Sequence, residues 1–189
     1  MGERVEIRLA GSGGQGVILA GVILAEAAGV YEGGEVAQTQ SYGPEARGGA
    51  SRAEVVISDG EIDYPRAMQP DILLCLSQRA CDAYVFDVKP GGMVVVDSGL
   101  VQHLPTTRAV ALPFTEIARR EVGEGMMANI VALGALVTLT GVVSMRSLEA
   151  AVAARIPPGH REAARKALEA GAAAAREYLN RREAPRPTA

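Results

Sequence analysis

The sequence predicts an α/β fold in which helices cover a mostly parallel sheet. Two continuous apolar runs, 71–77 (DILLCLS) and 92–97 (GMVVVD), are typical of strands that are buried on both faces, as in parallel sheets. Helical segments alternate with strands through the first half of the chain, which is the pattern of α/β domains, and the second half is mainly helical. The 189 residues, of which 48% are apolar and 22% charged, suffice for about one domain.

The first sixty residues alternate between strands and one long helix. Hydrophobic periodicity and composition predict strands at 5–10, 35–40 and 51–58, and a buried helix at 15–30. The first strand runs directly into a turn that begins at Gly11. Asp59-Gly60 after the third strand is a hairpin-type turn signal, so we expect a hairpin there.

The remaining elements complete a Rossmann-like three-layer sandwich with a helical C-terminal half. The two apolar runs and residues 108–112 are predicted strands, and the predicted helices lie at 78–86, 115–121, 127–140, 147–155 and 160–182. No linker divides the chain and no internal repeat is present. We therefore expect a single domain over residues 1–182, followed by a flexible tail at 183–189.

The composition excludes several classes of protein. A disordered chain would have fewer apolar residues and a net charge further from zero than −3. A pI near 5.5 argues against nucleic acid as a partner. The spacing of Cys75 and Cys81 matches neither zinc nor iron–sulfur motifs, so both are expected to be reduced, small apolar side chains. Neither a signal peptide nor an apolar run of membrane length is recognisable, and a cytoplasmic location is expected.

A glycine-rich segment between the first strand and the first helix is the first candidate for a site. It consists of Gly11, Ser12, Gly13, Gly14, Gln15 and Gly16. Glycines let the backbone approach a phosphate closely, and free N–H groups at the start of a helix attract an anion. The segment therefore predicts a phosphate-binding turn.

Three interpretations of this glycine turn remain open. A dinucleotide site also needs an acidic residue at the end of the second strand. That strand ends at Thr39-Gln40, and the nearest acid, Glu35, lies at its start, which disfavours NAD and FAD. Alternatively, the glycines only permit tight packing of the helix against the sheet. In the third interpretation, the turn binds the phosphate of another ligand or of a partner's cofactor.

The loop 41–49 (SYGPEARGG) is the second candidate. Because it follows the second strand, we expect it at the carboxyl edge of the sheet, where open α/β sheets bind ligands, and hence beside the glycine turn. Its distinctive side chains are Tyr42, Glu45 and Arg47, and the planar guanidinium of Arg47 suits a carboxylate or a phosphate. The alternative is a surface loop with an internal contact between Glu45 and Arg47.

Asn129 is the third candidate because it lies in an apolar helical run, 126–134 (MMANIVALG). It is one of only two asparagines in the chain. Its amide must find hydrogen-bond partners in such surroundings. A helix cap or a structural bond to a neighbouring loop is favoured over contact with a ligand.

Several catalytic patterns are missing from the sequence. The only two histidines, His103 and His160, have no serine or cysteine partner pattern, so a histidine-based triad is not expected. No P-loop lysine follows the glycines, and the carboxylates show no metal-ligand spacing. Asp59-Gly60 lacks the preceding glycine and the downstream asparagine of a magnesium site for thiamine diphosphate. The chain therefore presents candidates for binding and none for catalysis.

The motifs in this order resemble the gamma subunit of 2-oxoacid:ferredoxin oxidoreductases. The resemblance runs from about Arg4 to Leu179, and its motifs are the glycine turn followed by VILAGVILAEAA, the segments 39–49 and 53–65, and 129–134. SYGPEARGG is far more specific than the glycine turn. Preceded by Gln40, it resembles the 2-oxoglutarate and branched-chain types more than the pyruvate type, and the 2-oxoglutarate type is favoured.

The resemblance implies a non-autonomous subunit of a complex. Such a complex oxidatively decarboxylates a 2-oxoacid, transfers the acyl group to coenzyme A and reduces ferredoxin. Thiamine diphosphate with Mg²⁺ is then expected between alpha and beta subunits, and the iron–sulfur clusters on beta and delta subunits or domains. This chain alone is expected to bind no cofactor. The glycine turn, Tyr42, Glu45, Arg47 and Asn129 are the candidates for contacting coenzyme A at a shared site.

In such a complex, the loop 41–49 is expected to face the catalytic subunits, with Arg47 as its anchor and Glu45 orienting it. The isolated chain is expected to expose an apolar patch and to self-associate through it. Two other interpretations stay open: a free-standing Rossmann-like module that binds a nucleotide or a flavin, and a purely structural interaction domain.

Overall fold

The computed structural model describes residues 4–41, 50–106, 109–123 and 125–183. Within these ranges, the strands are β1 (Arg4–Ser12), β2 (Glu35–Ser41), β3 (Ala50–Ser58), β4 (Ile72–Cys75), β5 (Met93–Asp97) and β6 (Val110–Leu112). They form one sheet in the order β2-β3-β1-β4-β5-β6. Three of the five pairings, β1–β4, β4–β5 and β5–β6, are parallel. The predicted α/β fold with a mostly parallel sheet is confirmed.

The α-helices of the described residues lie close to their predicted positions. They are α1 (Val17–Glu26), α2 (Gln78–Tyr84), α3 (Phe114–Ile117), α4 (Ala128–Thr140), α5 (Met145–Arg155) and α6 (Arg161–Glu183). Short π-helical segments extend α1 and α3, and 3₁₀ turns follow α2 and precede α4 and α6. The side chains of Ser77 and Ser144 cap α2 and α5 by accepting a backbone hydrogen bond. Within the described ranges, no helix is both long and apolar enough to cross a membrane.

Helices lie on both faces of the sheet, as predicted for a three-layer sandwich. Successive strand residues point to opposite faces, so Leu74 and Val95 belong to the larger core with α1, α3, α4, α5 and α6. Leu73 and Val94 face the other side, where they pack with α2. The two layers of helices are unequal, because the C-terminal half contributes its helices to one face.

Cys75 and Cys81 lie in the smaller core as free, buried thiols, as predicted. A hydrogen bond to Cys81, together with burial, raises the pKa of the Cys75 thiol well above its usual value. Cys75 therefore stays protonated at neutral pH and acts as a small apolar residue.

The predicted hairpin at Asp59-Gly60 is wrong. These residues form a bend in which the Gly60 N–H donates to the Ser58 hydroxyl (3.2 Å), and the chain continues into β4, which pairs in parallel with β1. The antiparallel hairpin partners are instead β2 and β3. Residues 42–49, which join them, lie outside the described ranges. The Asp-Gly signal marks a turn, but pairing of the next strand decides whether that turn closes a hairpin.

Two glycines allow α4 and α6 to pack with their backbones almost in contact. A Cβ on Gly171 of α6 would lie 1.9 Å from the Val131 carbonyl oxygen, and one on Gly134 of α4 would lie 2.2 Å from the Leu168 carbonyl oxygen. Neither position has room for a side chain, and backbone atoms cannot move aside as a flexible side chain can. The core of the helical half therefore depends on these two positions.

Gly171→Ala is expected to destabilise the protein by about 1–3 kcal/mol, because overpacking outweighs the gain in helix propensity. The melting temperature should fall by roughly 2–4 °C per kcal/mol for a domain of this size. Gly159→Ala is the matched control, since a Cβ there meets no atom within 4 Å. Thermal unfolding followed by circular dichroism measures both, and equal melting temperatures would contradict the close packing of α4 and α6.

Candidate functional site

The glycine turn links β1 to α1 at the carboxyl edge of the sheet, and the side chain of Gln15 fixes it. The Ser12 N–H donates to Gln15 Oε1 (2.6 Å), while Gln15 Nε2 donates to the carbonyl oxygen of Leu76, just beyond β4 (2.6 Å). The turn is therefore tied to the end of the neighbouring strand. Gln15 holds the loop through both atoms of its own amide.

Asn129 fixes the other end of the turn. Its Nδ2 donates to the Gly16 carbonyl oxygen (3.1 Å), 113 residues away in sequence, and its Oδ1 accepts from the Ile130 N–H (2.9 Å). The side chain is buried at the start of α4. The structure contains the structural bond to a neighbouring loop that the sequence favours, and contact of Asn129 with a ligand stays a prediction.

The glycines of the turn fall into two groups. A Cβ on Gly11 would lie 2.6 Å from Gln15 Oε1, and one on Gly16 would lie 2.4 Å from Asn129 Nδ2, so tight packing accounts for both. Gly16 also has a left-handed φ of 70°. A Cβ on Gly13 or Gly14 would meet no atom within 4 Å. Gly14 has a φ of 88°, so only Gly13 is required neither by packing nor by its backbone conformation.

An apolar cavity of about 240 Å³ opens beside the turn. Gly14 and Gly16 form one wall, and Asn129 and His160 contribute polar groups. The other lining residues are apolar: Leu19, Met126, Met127, Ile130, Ile156 and Pro157. No local sequence pattern predicts this cavity, because its walls come from three separate segments. Only the packing of α4 and of the segment before α6 brings them to α1.

Ala50, which follows the loop 41–49, lies beside the glycine turn as expected, whereas Ser41, where the loop begins, is separated from β1 by β3. Ala50 and Ser51 of β3 pair with Ser12 and Gly11 of β1, respectively. Ser41 of β2 pairs with Arg52, along the edge of β3 that faces away from β1. Tyr42, Glu45 and Arg47 themselves lie outside the described residues. Their predicted contacts therefore stay predictions.

The strand order also bears on the dinucleotide interpretation. In this sheet the antiparallel strand β3 separates β2 from β1, so the end of β2 is not adjacent to the glycine turn. Glu35 pairs with Ser58, at the amino edge of the sheet. The acid nearest in sequence therefore lies at the opposite edge of the sheet from the turn, which disfavours Glu35 as a ribose-binding carboxylate.

A buried ion-pair network on the α2 face was not anticipated from the sequence. Arg8 of β1 donates to Glu54 Oε1 of β3 (2.9 Å), to the Asp87 carboxylate and to the Ala67 carbonyl oxygen (2.7 Å). Its guanidinium carbon lies 5.1 Å from the centre of the Tyr84 ring. The sequence feature that could have revealed this network is the placement of Arg8 and Glu54 at core-facing positions of otherwise apolar strands. The network connects β1, β3 and the end of α2, so we assign it a structural role.

The described residues contain no cluster of three or more histidine, cysteine, aspartate or glutamate side chains that could hold a metal ion. The site at the carboxyl edge thus consists of backbone N–H groups, two tethering amides and an apolar cavity. Such an arrangement can bind a group that carries a phosphate.

Comparison with known proteins identifies the family. The family described as pyruvate ferredoxin/flavodoxin oxidoreductase matches residues 6–176. The chain belongs to this family. Complexes of this family use thiamine diphosphate and iron–sulfur clusters.

Similar proteins agree in sequence and in fold. The chain is 55% identical over 163 residues to 2-oxoglutarate synthase subunit KorC of Methanocaldococcus jannaschii, a match covering 84% of this chain and 87% of that one. The crystal structure of the keto/oxoacid ferredoxin oxidoreductase gamma subunit from Geobacter sulfurreducens has a TM-score of 0.85 at 51% identity, covering 93% of this chain and 98% of that chain.

A more distant match occurs within a longer chain. The 2-oxoglutarate:ferredoxin oxidoreductase from Magnetococcus marinus, solved with 2-oxoglutarate, coenzyme A and succinyl-CoA bound, has a TM-score of 0.81 at 24% identity. The match covers 93% of this chain but 31% of that one. The α/β fold described above thus occurs both as a separate chain and as about a third of a longer chain.

Gly16→Ala is expected to lower the free energy of unfolding by about 1–3 kcal/mol, because the new Cβ would displace Asn129 and strain a left-handed backbone. Gly13→Ala should stay within about 0.5 kcal/mol of wild type, since its Cβ meets nothing. Urea unfolding compares the two variants. A Gly16→Ala variant as stable as Gly13→Ala would show that the bond between Asn129 and Gly16 does not hold the turn.

Proposed function

We propose that this chain is the gamma subunit of a 2-oxoacid:ferredoxin oxidoreductase whose oxoacid is 2-oxoglutarate. The overall reaction converts 2-oxoglutarate, coenzyme A and oxidised ferredoxin into succinyl-CoA, CO₂ and reduced ferredoxin. The observation that carries the proposal is the 55% identity over most of both chains with a relative named as a subunit of 2-oxoglutarate synthase. The gamma-subunit structure at TM-score 0.85 supports the assignment of subunit.

The assignment of cofactors to subunits follows from which ligand side chains the described residues can supply. Cys75 and Cys81 are buried beside each other in the smaller core and are not placed to ligate a cluster. We infer that thiamine diphosphate, Mg²⁺ and the iron–sulfur clusters reside on alpha, beta and, where present, delta subunits. This chain is an accessory domain of that assembly, and ferredoxin interacts with the complex rather than with this chain alone.

We further propose that the glycine turn binds a phosphate group of coenzyme A. Three observations support this role. The Gly13 and Gly14 positions are open, so a ligand can approach the backbone there. Gly16 caps α1 without a side-chain hydrogen bond, which leaves the first N–H groups of the helix available to an anion. The neighbouring cavity can take an uncharged part of the same ligand.

In this proposal, Gln15 and Asn129 are positioning residues. Their hydrogen bonds to Ser12, Leu76 and Gly16 set the shape of the turn before any ligand arrives. A preformed turn loses little entropy on binding. The loop 41–49 starts at the same edge of the sheet and ends beside the turn, which supports the expectation that Tyr42, Glu45 and Arg47 act at this edge, toward the catalytic subunits.

The isolated chain is expected to show no turnover with 2-oxoglutarate, coenzyme A and an electron acceptor, even with added thiamine diphosphate. Adding the alpha and beta subunits, with delta where it is separate, should produce activity that this chain raises at least tenfold over the mixture without it. Assays of acceptor reduction measure both mixtures. Turnover by the chain alone, or full activity without it, would refute the assignment as a subunit. A preference of the complex for pyruvate would refute the assignment of 2-oxoglutarate as substrate.

Gly13→Ala is expected to weaken coenzyme A binding by the assembled complex about tenfold, equivalent to about 1.4 kcal/mol, because the methyl group occupies the place of the phosphate. The fold should be unaffected, since the chain itself leaves that space empty. Gly60→Ala, also in open space but remote from the turn, is the control. Isothermal titration with coenzyme A gives the dissociation constants, and identical values for Gly13→Ala and wild type would remove the ligand role of the turn.

A further inference from the structure

The outermost strand β2 has the features of a surface that pairs with a further strand. In the sheet that the described residues form, β2 lies at one end of the strand order and pairs with β3 along one side. This pairing runs without a bulge from Glu35 to Ser41. The N–H and C=O groups that face away from β3 are therefore a regular template for one more strand.

β2 itself carries none of the features that usually protect an edge strand. Natural proteins blunt such edges with short strands, lysine, proline or a bulge. At the opposite edge of the sheet, β6 has only three residues. β2 has seven, contains neither lysine nor proline, and has a single charged residue, Glu35, at its first position. An edge of this length and composition is expected to be paired with another strand when the protein functions.

Opposite charges lie at the two ends of β2. Glu35, at the amino end, is exposed, and Arg52 and Arg66 line a polar cavity of about 140 Å³ beside Ser41 at the carboxyl end. Among the described residues, the side chains of Glu35 and Arg66 have no partner. Arg52 Nε lies 3.7 Å from Glu54 Oε1, which is too far for a hydrogen bond. The carboxylate at one end and the guanidinium donors at the other are thus available to a second molecule.

A second copy of the same strand matches this distribution of charge. A strand that pairs with its own copy about a two-fold axis runs antiparallel to it. The register centred on Gln38 is the one that pairs all seven residues, because any other two-fold register leaves some of them unpaired. It places Glu35 of each copy opposite Ser41 of the other, and it brings no like charges opposite each other.

The same register brings each Glu35 within reach of the other copy's arginines. Ser41 pairs with Arg52 in β3, so Glu35 of the second copy, Ser41 and Arg52 would lie in one row across three strands. Opposite residues of an antiparallel ladder point to the same face, and two strand spacings are about 10 Å. A glutamate and an arginine side chain together span that distance, and Ser41 between them is small. Two-fold symmetry forms this contact twice.

Exposed apolar side chains flank β2 on the other face of the sheet. Val30 is 71% exposed and Tyr31 is 43% exposed. Both belong to the π-helical segment that follows α1, and this segment packs beside Val36 of β2, which a Cβ on Gly29 would approach to 3.5 Å. A strand added to β2 would therefore find apolar contact area next to the backbone hydrogen bonds.

We propose that two copies of this chain associate through β2, so that their sheets join into one continuous sheet. Glu35 of each copy pairs with Arg52 and Arg66 of the other. The sequence predicts self-association through an apolar patch, whereas in this proposal the strand edge makes the main contact and the apolar residues flank it. The inference does not rest on the proposed function, because the occupant is a second copy of this chain rather than a different subunit.

The test is charge reversal and rescue in the full-length chain. Glu35→Lys brings like charges together and should weaken dimerisation about tenfold or more, as should Arg66→Glu. The variant with both changes should dimerise at least about threefold more tightly than Glu35→Lys alone, since the new charges attract. Glu149→Lys, at an exposed position of α5, is the matched control and should stay within about twofold of wild type. Sedimentation equilibrium gives the dissociation constants, and melting temperatures verify folding.

Hydrogen exchange of the wild-type chain tests the strand pairing itself. Amides of β2 that face away from β3 should exchange more slowly at concentrations where the dimer forms than where the chain is monomeric. Unchanged exchange in β2 on dimerisation would overturn the proposal, as would a wild-type chain that stays monomeric. Equal effects of Glu35→Lys and Glu149→Lys, or a double variant no tighter than Glu35→Lys, would overturn it as well.

Discussion

The hydrogen bond from the Asn129 amide to the Gly16 carbonyl is the constraint on which the carboxyl edge depends. It joins the helical second half of the chain to the first turn of the sheet-forming half, 113 residues earlier. Gly16 must lack a side chain for Asn129 to come this close, and its left-handed φ sets the direction in which α1 begins. The walls of the cavity beside the turn follow from the same contact, because Asn129 and Ile130 form part of it.

Close backbone approach recurs throughout the structure and explains why the chain is rich in glycine and alanine. Gly21 brings α1 against Ala53 of β3, and Gly134 with Gly171 brings α4 against α6. With no tryptophan and only two phenylalanines, the core gains its density from small residues at short distances. Such packing leaves little adjustable volume, so the turn that it supports is preorganised.

The two edges of the sheet have different chemistry. The carboxyl edge offers backbone N–H groups and open glycines, which suit a phosphate, whereas the groove at the amino edge is lined by both polar and apolar side chains. Between them, the Arg8 network ties β1 to β3 and to the end of α2 through buried charges. Because removing one partner of such a network leaves an uncompensated charge, it fixes the pairing of these strands.

The sequence by itself determined the α/β class, the positions of nearly all strands and helices, the phosphate-suited turn and the family resemblance, because periodicity and short motifs are local properties. The tertiary structure decided what depends on distant residues. It made β3 an antiparallel strand between β1 and β2, which refuted the hairpin at Asp59-Gly60. It showed that packing requires glycine at Gly11 and Gly16 but leaves the space beside Gly13 open. It also assembled the cavity beside the turn from segments far apart in sequence, whose contacts no local pattern specifies.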